Sequence, residues 1–174
     1  MQWKQVTAAL LLSTAAGQAL AAELRVQVEI PSLQVAEYHR PYVAIWIETA
    51  KGRHQQDLAL WYDLDMKDNE GTKWLKDLRL WWRRSGRELE FPVDGLSGAT
   101  RPVGTHGLTF AADAPQLADL PSGEYRLVVE AAREVGGREL IRLPFQWPVA
   151  ERQQQQQQQQ GEHELGRVAL ELTP

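Results

Sequence analysis

The sequence predicts a mainly β protein, an antiparallel β-sandwich with one short amphipathic helix. Three observations predict this fold. Short runs of alternating or β-branched residues recur along the chain, turn residues separate these runs, and one segment follows the helical period instead. Several short strands at regular spacing are typical of two packed antiparallel sheets.

The chain begins with the features of a secretory signal peptide. A short basic flank at Met1 to Lys4 precedes an apolar run, and Ala19-Leu20-Ala21 offers the small residues that a signal peptidase reads. The apolar run is too short to cross a bilayer, which takes about 20 apolar residues. We therefore expect residues 1–21 to be cleaved near Ala21 or Ala22 and the mature protein to be periplasmic.

The remaining residues, 22–174, are expected to form a single domain, because about 150 residues suit one hydrophobic core. The sequence has no cysteine, which excludes disulfides, c-type haem, iron–sulfur clusters and thiol chemistry. A redox function would therefore depend on an added organic cofactor. The net charge of −4, with both signs mixed along the chain, argues against nucleic-acid binding, which needs a strongly basic face.

The predicted strands begin with residues 24–30, which alternate apolar and polar side chains and end at Pro31. Residues 42–48 and 57–62 flank the Lys51-Gly52 turn and form a predicted hairpin. Residues 120–125 are similar to the corner at which a strand begins in immunoglobulin-like domains. The other predicted strands are residues 89–93, 105–110, 124–131, 139–147 and 168–172.

One segment, residues 72–84, has the pattern of an amphipathic helix. Its apolar residues fall at spacings of one, four, seven and eight, and they are Trp74, Leu75, Leu78, Trp81 and Trp82. One interpretation is that the tryptophans cap an open end of the sandwich. Another is that a basic and aromatic face rests on the membrane surface.

Eight consecutive glutamines, Gln153 to Gln160, precede the last predicted strand. Such a tract cannot bury apolar surface, so we expect a solvated hairpin loop of variable length, inserted within the domain at residues 153–160. The final strand must still pair, so the tract is not expected to mark a domain boundary.

Residues that often perform catalysis show no arrangement of that kind. The four histidines, His39, His54, His106 and His163, lack metal-ligand spacing, so a metal site is not expected. The acidic run of Asp63, Asp65, Asp68 and Glu70 misses the pattern of a calcium loop and favours a solvated turn. Nucleophile elbows and phosphate-binding glycine loops are also missing, so the chain shows no catalytic machinery of its own.

The segment 94–100, Asp-Gly-Leu-Ser-Gly-Ala-Thr, places a hydroxyl beside very small residues. The bland interpretation is a turn between two strands, since Asp and Gly favour turns. The segment also resembles the Asp-x-x-(Ser/Thr)-Gly-Ala-Thr signature by which bacterial flavin transferases recognise extracytoplasmic proteins and attach FMN. Gly98 and Ala99 would leave room for a transferase around the last threonine.

This resemblance implies that Thr100 carries FMN through a phosphoester, although Ser97 offers a second hydroxyl nearby. It also implies that Asp94 serves recognition by the transferase. Arg101 is then a candidate partner of the phosphodiester. His106 is a candidate contact of the phosphate or the flavin ring, or else a structural histidine. A third interpretation of the tryptophan helix follows, in which indole rings line the flavin site.

Most of the mature chain resembles an exported bacterial family of unknown function, DUF2271-like. Six segments carry the resemblance: residues 42–48, 73–78 with Trp81-Trp82, 97–102, 123–125, 142–147 and 166–170. Members of that family are often encoded beside PepSY-type membrane reductases and flavin transferases, which implies an extracytoplasmic electron-transfer chain.

Two functions follow from these observations. The first is an FMN-bearing electron carrier, modified by a Mg²⁺-dependent flavin transferase and served by a PepSY-type membrane reductase; the redox chemistry would belong to the cofactor. The second is a cofactor-free sandwich that binds a partner protein or the membrane surface through the tryptophan helix.

Overall fold

The computed structural model describes residues 22–150 and 153–174, which form two packed β-sheets. The predicted signal peptide, residues 1–21, lies outside the described residues. The four-stranded sheet has the spatial order β5 (Gly104–Ala111), β1 (Glu23–Ile30), β9 (Arg167–Thr173) and β8 (Gln155–Gln160). The five-stranded sheet has the order β4 (Ser97–Ala99), β3 (His54–Tyr62), β2 (Tyr42–Thr49), β6 (Gly123–Ala132) and β7 (Arg138–Trp147). Within the described ranges, no helix is long and apolar enough to span a membrane.

The predicted β-sandwich is confirmed, and the alternating patterns explain why. The four apolar residues of β1, from Leu24 to Ile30, are all buried between the sheets, while the intervening residues are wholly or partly exposed. The predicted hairpin is the antiparallel pair β2 and β3. The predicted corner is present too, since the Tyr125 hydroxyl donates a hydrogen bond to the Pro121 carbonyl at 2.7 Å.

The predicted single helix is wrong in detail. The structure has a 3-10 helical segment, Lys67–Asp77, then α1 (Arg79–Arg84), then a 3-10 turn, Gly86–Glu88. The chain breaks at Leu78, whose ψ of 70° is not helical. A new helix begins there because the buried Glu130 carboxylate on β6 accepts hydrogen bonds from the backbone N–H groups of Leu80 and Trp81, at 3.0 and 2.8 Å.

The expectation that the tryptophans cap an open end of the sandwich is also wrong. The helical region covers the outer face of the five-stranded sheet, where it packs on Tyr42, Trp46 and Tyr62. Its position follows from topology: β3 and β4 are parallel neighbours, and parallel strands need a crossover connection, which this region supplies. Trp81 is fully buried and Trp82 partly buried, whereas Trp74 is 44% exposed.

Asp57 on β3 fastens this crossover to the sheet. Its carboxylate accepts hydrogen bonds from the Trp81 indole N–H at 2.8 Å, from the Ser85 hydroxyl and from His54. Burial opposes ionisation of this carboxylate, yet the three hydrogen bonds together hold the pKa of Asp57 below its ordinary value. The aspartate therefore stays charged and keeps all three donors in place.

The predicted strand at 89–93 does not form. Leu89 and Phe91 instead pack against the outer-face cluster, with the Phe91 ring stacked on Trp82 at a centroid distance of 6.3 Å. Apolar burial against the crossover thus takes the place of strand pairing.

The predicted glutamine loop is a strand. Gln155–Gln160 form β8, which pairs antiparallel with β9 along its whole length. The glutamine side chains remain largely exposed, as the solvated interpretation required, but the main chain finds its partners in β9. A solvent-facing edge strand needs no apolar face, which is why apolar patterning does not reveal it.

Candidate functional site

The segment 94–100 lies at the edge of the five-stranded sheet, where it is held at both ends to β3. The Leu60 N–H donates to the Leu96 carbonyl at 2.9 Å, and the Thr100 N–H donates to the Tyr62 carbonyl at 3.1 Å. Between these bonds, Ser97–Ala99 form the short parallel strand β4. The segment therefore combines an exposed turn with a strand that fixes the position of its last residue.

The turn itself has ordinary chemistry. Asp94 and Gly95 are exposed, and Gly95 has a φ of +73°, a conformation that favours glycine. The Ser97 hydroxyl accepts a hydrogen bond from the Val93 N–H at 2.9 Å, so this second hydroxyl of the motif already has a structural partner. Residues 94–96 therefore form a turn, as the bland interpretation expects, but the turn leads into β4 only, because the predicted strand before it does not form.

Thr100 lies beside Asp63, a contact that the parallel pairing of β3 and β4 creates. Each residue is the first after its strand, and the carboxyl ends of parallel neighbours lie at the same end of a sheet. The Thr100 hydroxyl donates a hydrogen bond to an Asp63 carboxylate oxygen at 3.2 Å. The hydroxyl that the motif singles out is thus oriented by an acidic side chain.

Gly71 and Tyr42 fix the position of Asp63. A Cβ atom on Gly71 would lie 2.0 Å from the Asp63 carbonyl oxygen, so only glycine permits this approach. The Tyr42 hydroxyl donates to the Gly71 carbonyl at 3.1 Å. Burial, with a contribution from the Asp63 charge, raises the pKa of Tyr42 to about 12, so the phenol stays protonated and keeps donating at neutral pH.

Thr100 is only 8% exposed, but it lines two neighbouring cavities of about 360 and 300 Å³. The cavities share Arg40, Asp63, Met66 and Thr100. The larger one is also lined by Tyr38, His39, Tyr42, Trp74, Asp77, Ala132, Arg133 and Glu134. Both have the size of small-molecule pockets, which run from about 300 to 1,000 Å³.

Both signs of charge occur around the larger cavity. Arg133 forms an ion pair with Glu164 at 2.7 Å, and the two side chains are 5% and 4% exposed. Its Nη1 atom is buried and has no hydrogen-bond partner among the described residues. Arg40 is exposed and forms no ion pair with any described residue, so its charge is available to a ligand.

Two predicted site residues lie elsewhere. The Arg101 guanidinium lies over the Trp61 ring, 5.3 Å from its centroid. His106 forms a hydrogen bond with the Pro102 carbonyl at 2.7 Å and packs its ring edge against Trp61 at 5.9 Å. Neither residue lines either cavity. These contacts favour the structural interpretation of His106, and they bring Arg101 to an aromatic ring instead of the Thr100 hydroxyl.

Gly98 and Ala99 keep the edge beside Thr100 open. A Cβ atom on Gly98 would meet nothing closer than 3.5 Å, and Ala99 is exposed. The fold itself therefore tolerates a larger residue at Gly98. A requirement for small residues here would come from a partner that approaches this edge.

Sequence reasoning missed Asp63, Arg40 and Arg133. The acidic run favours a solvated turn at Asp63, although this residue directly follows a predicted strand. The sequence pattern does not reveal β4. A strand ending at Ala99 beside β3 is what places Thr100 next to Asp63. Of the three tryptophans in the crossover, only Trp74 lines the larger cavity.

Residues 23–167 match the family described as "Predicted periplasmic protein (DUF2271)", and this match covers more than half of the chain. Comparisons with curated proteins and with solved structures found no match. The extent of the family match shows that the chain belongs to DUF2271, a family of predicted periplasmic proteins.

Proposed function

We propose that this protein is a periplasmic electron-transfer protein that carries FMN on Thr100, joined by a phosphoester that a flavin transferase makes. One observation carries the proposal. The hydroxyl at the last position of the flavin-transferase signature is oriented by Asp63 at the wall of a cavity large enough for part of a cofactor. The family's predicted location in the periplasm supports it, because the resemblance implies that such modification is made there.

The attachment reaction balances without an oxidant. The Thr100 hydroxyl oxygen bonds to the flavin-side phosphorus of FAD, the bond between that phosphorus and the bridging oxygen breaks, and AMP leaves. The hydroxyl proton passes to a base. The hydrogen bond from Thr100 to Asp63 already directs this proton towards a carboxylate and leaves an oxygen lone pair for the phosphorus.

The residues around Thr100 fit a bound FMN. Arg40 lines both cavities and offers a cation to the phosphodiester. The larger cavity has three aromatic side chains on its wall, those of Tyr38, Tyr42 and Trp74. When bound, FMN supplies one- and two-electron redox chemistry. The chain has no cysteine, so it has no thiol chemistry to use instead. A PepSY-type membrane reductase is the electron partner that we propose.

The alternative, a cofactor-free module that binds a partner or the membrane through the tryptophan helix, has less support. Trp81 is buried on the sheet and Trp82 packs beside it, so two of the three indole rings are used within the fold. Only Trp74 remains exposed, and it lines the cavity at Thr100.

The proposal is tested by expressing the protein in the periplasm together with an active flavin transferase. The intact mass should rise by one FMN less one water, the protein should be yellow, and peptide mapping should place the addition on Thr100. Thr100→Val keeps the shape of the side chain and removes the nucleophile, so it should abolish the added mass.

Ser97→Ala is the matched control. It removes the other hydroxyl of the motif, and with it one hydrogen bond to Val93, so modification should persist at a reduced rate at most. The proposal fails if the wild-type protein stays unmodified beside a transferase that labels a known acceptor. The cofactor-free module would then take its place.

A further inference from the structure

Three exposed large hydrophobic side chains gather around the larger cavity at Thr100. Tyr38, Met66 and Trp74 are 38%, 41% and 44% exposed, and all three line that cavity. They come from separate parts of the chain: the segment before β2, the turn after β3 and the 3-10 helical segment. Exposed apolar surface is costly in water, so its concentration from three segments at one cavity indicates a ligand site.

Packing of the core does not require Trp74 to be exposed. Its neighbour Leu75 is fully buried, and the crossover is anchored by Trp81, whose indole N–H bonds to Asp57 at 2.8 Å. Trp74 thus presents a flat aromatic surface that contributes little to the packing of the sheet. Tryptophan side chains are usually largely buried in proteins, so an exposed one at a cavity wall calls for a ligand.

The polar groups around the cavity are also arranged for a ligand. Arg133 also lines the cavity, but its guanidinium is paired with Glu164 at 2.7 Å and its Nη1 atom is buried, so it offers a ligand no accessible donor. The accessible cation is Arg40, which is exposed and forms no ion pair with any described residue. Arg40 lies at the Thr100 side, where it lines both cavities.

We propose that Tyr38, Met66 and Trp74 form the wall against which the three-ring isoalloxazine of the flavin lies. This inference rests on the proposed function. The chemistry on the two sides matches, because a flat ring system packs well against aromatic and thioether side chains. The phosphate of the same flavin stays at Thr100, beside Arg40.

The first test uses riboflavin and unmodified protein made without a transferase. Riboflavin has the ring but no phosphate, so its binding reports on the cavity wall alone. Binding should quench riboflavin fluorescence, and Trp74→Leu should weaken the affinity about tenfold, whereas Trp74→Phe should keep most of it. Val103→Ala is the control, since Val103 is 48% exposed but lines neither cavity at Thr100.

The second test uses protein modified on Thr100. The emission of the attached flavin should be low in wild-type protein, rise several-fold in Trp74→Leu and stay low in Trp74→Phe and Val103→Ala. The two proposals fail separately. If the mass increment forms but Trp74→Leu changes neither the emission nor the riboflavin affinity, the position of the ring is wrong and the attachment stands. If no increment forms but riboflavin binds in a Trp74-dependent way, the attachment is wrong and the ring site stands.

Discussion

The Thr100 hydroxyl and the Asp63 carboxylate have two opposing effects on the proposed attachment. The hydrogen bond between them, 3.2 Å long, orients the attacking oxygen, and hydrogen bonds to charged groups contribute about 1.5 to 3 kcal/mol. The same carboxylate repels the phosphodiester that forms. Like charges about 4 Å apart in bulk water repel by only about 1 kcal/mol, and Asp63 is exposed with Arg40 nearby. Orientation should therefore outweigh repulsion.

Replacing Asp63 by asparagine tests this balance. Asp63→Asn keeps the size of the side chain and removes its charge, so attachment of FMN by the transferase should slow about tenfold, the effect of roughly 1.4 kcal/mol. The time course of the intact mass measures this rate, and the loss should fall on kcat more than on KM. Asp119→Asn removes an exposed charge that lines neither cavity at Thr100, so its rate should match wild type. If FMN is attached to Asp63→Asn faster than to wild type, repulsion between Asp63 and the phosphodiester outweighs orientation of the hydroxyl.

At the scale of the elements, sequence patterns predicted the strands whose side chains must alternate and missed those that only pairing creates. The alternation in β1 follows from burial of one face, so it can be read directly from the residues. The strand β4 is Ser-Gly-Ala, which has low strand propensity and forms only because β3 offers a free edge. The helical crossover was found by its apolar period, but not its break at Leu78, which depends on the distant Glu130.

The glutamine strand β8 is expected to tolerate changes in length. All residues of β8, from Gln155 to Gln160, are glutamines. A shift in the register between β8 and β9 therefore places another glutamine opposite each residue of β9. Deleting one glutamine should lower the free energy of unfolding by less than about 1 kcal/mol, as measured by urea denaturation.

Deletion of Ala169 from β9 is the matched control. It would move buried apolar residues such as Leu170 and Leu172 to the opposite face, so it should cost several kcal/mol or prevent folding. A glutamine deletion that costs as much as this control would mean that a specific register of β8 is required. The hydrogen bonds between the Gln155 side chain and the Gln146 main chain would then be the contacts that fix this register.

At the scale of the whole molecule, stability and chemistry lie in different parts of the five-stranded sheet. The strands β2 and β6 lie in the middle of the sheet and are covered on both faces, by the other sheet and by the crossover. The candidate site lies at the edge, on β4, which is three residues long. This division was not predictable from composition, because it depends on which segment occupies the free edge of β3.

The edge position bears on how a transferase reaches Thr100, whose side chain is only 8% exposed. Each backbone hydrogen bond contributes about 1 kcal/mol net, so releasing the few that join β4 to β3 should cost a few kcal/mol, less than global unfolding at about 5 to 15. The amides of residues 97–100 should therefore exchange with deuterium through local opening, at least tenfold faster than those of β2 and β6. Hydrogen exchange measured at increasing urea separates local opening from global unfolding, because local opening exposes little surface and therefore depends weakly on denaturant.

If the exchange of the β4 amides depends on urea as strongly as that of the β2 amides, the edge does not open on its own. FMN attachment would then have to precede folding, and folded protein mixed with transferase and FAD should stay unmodified.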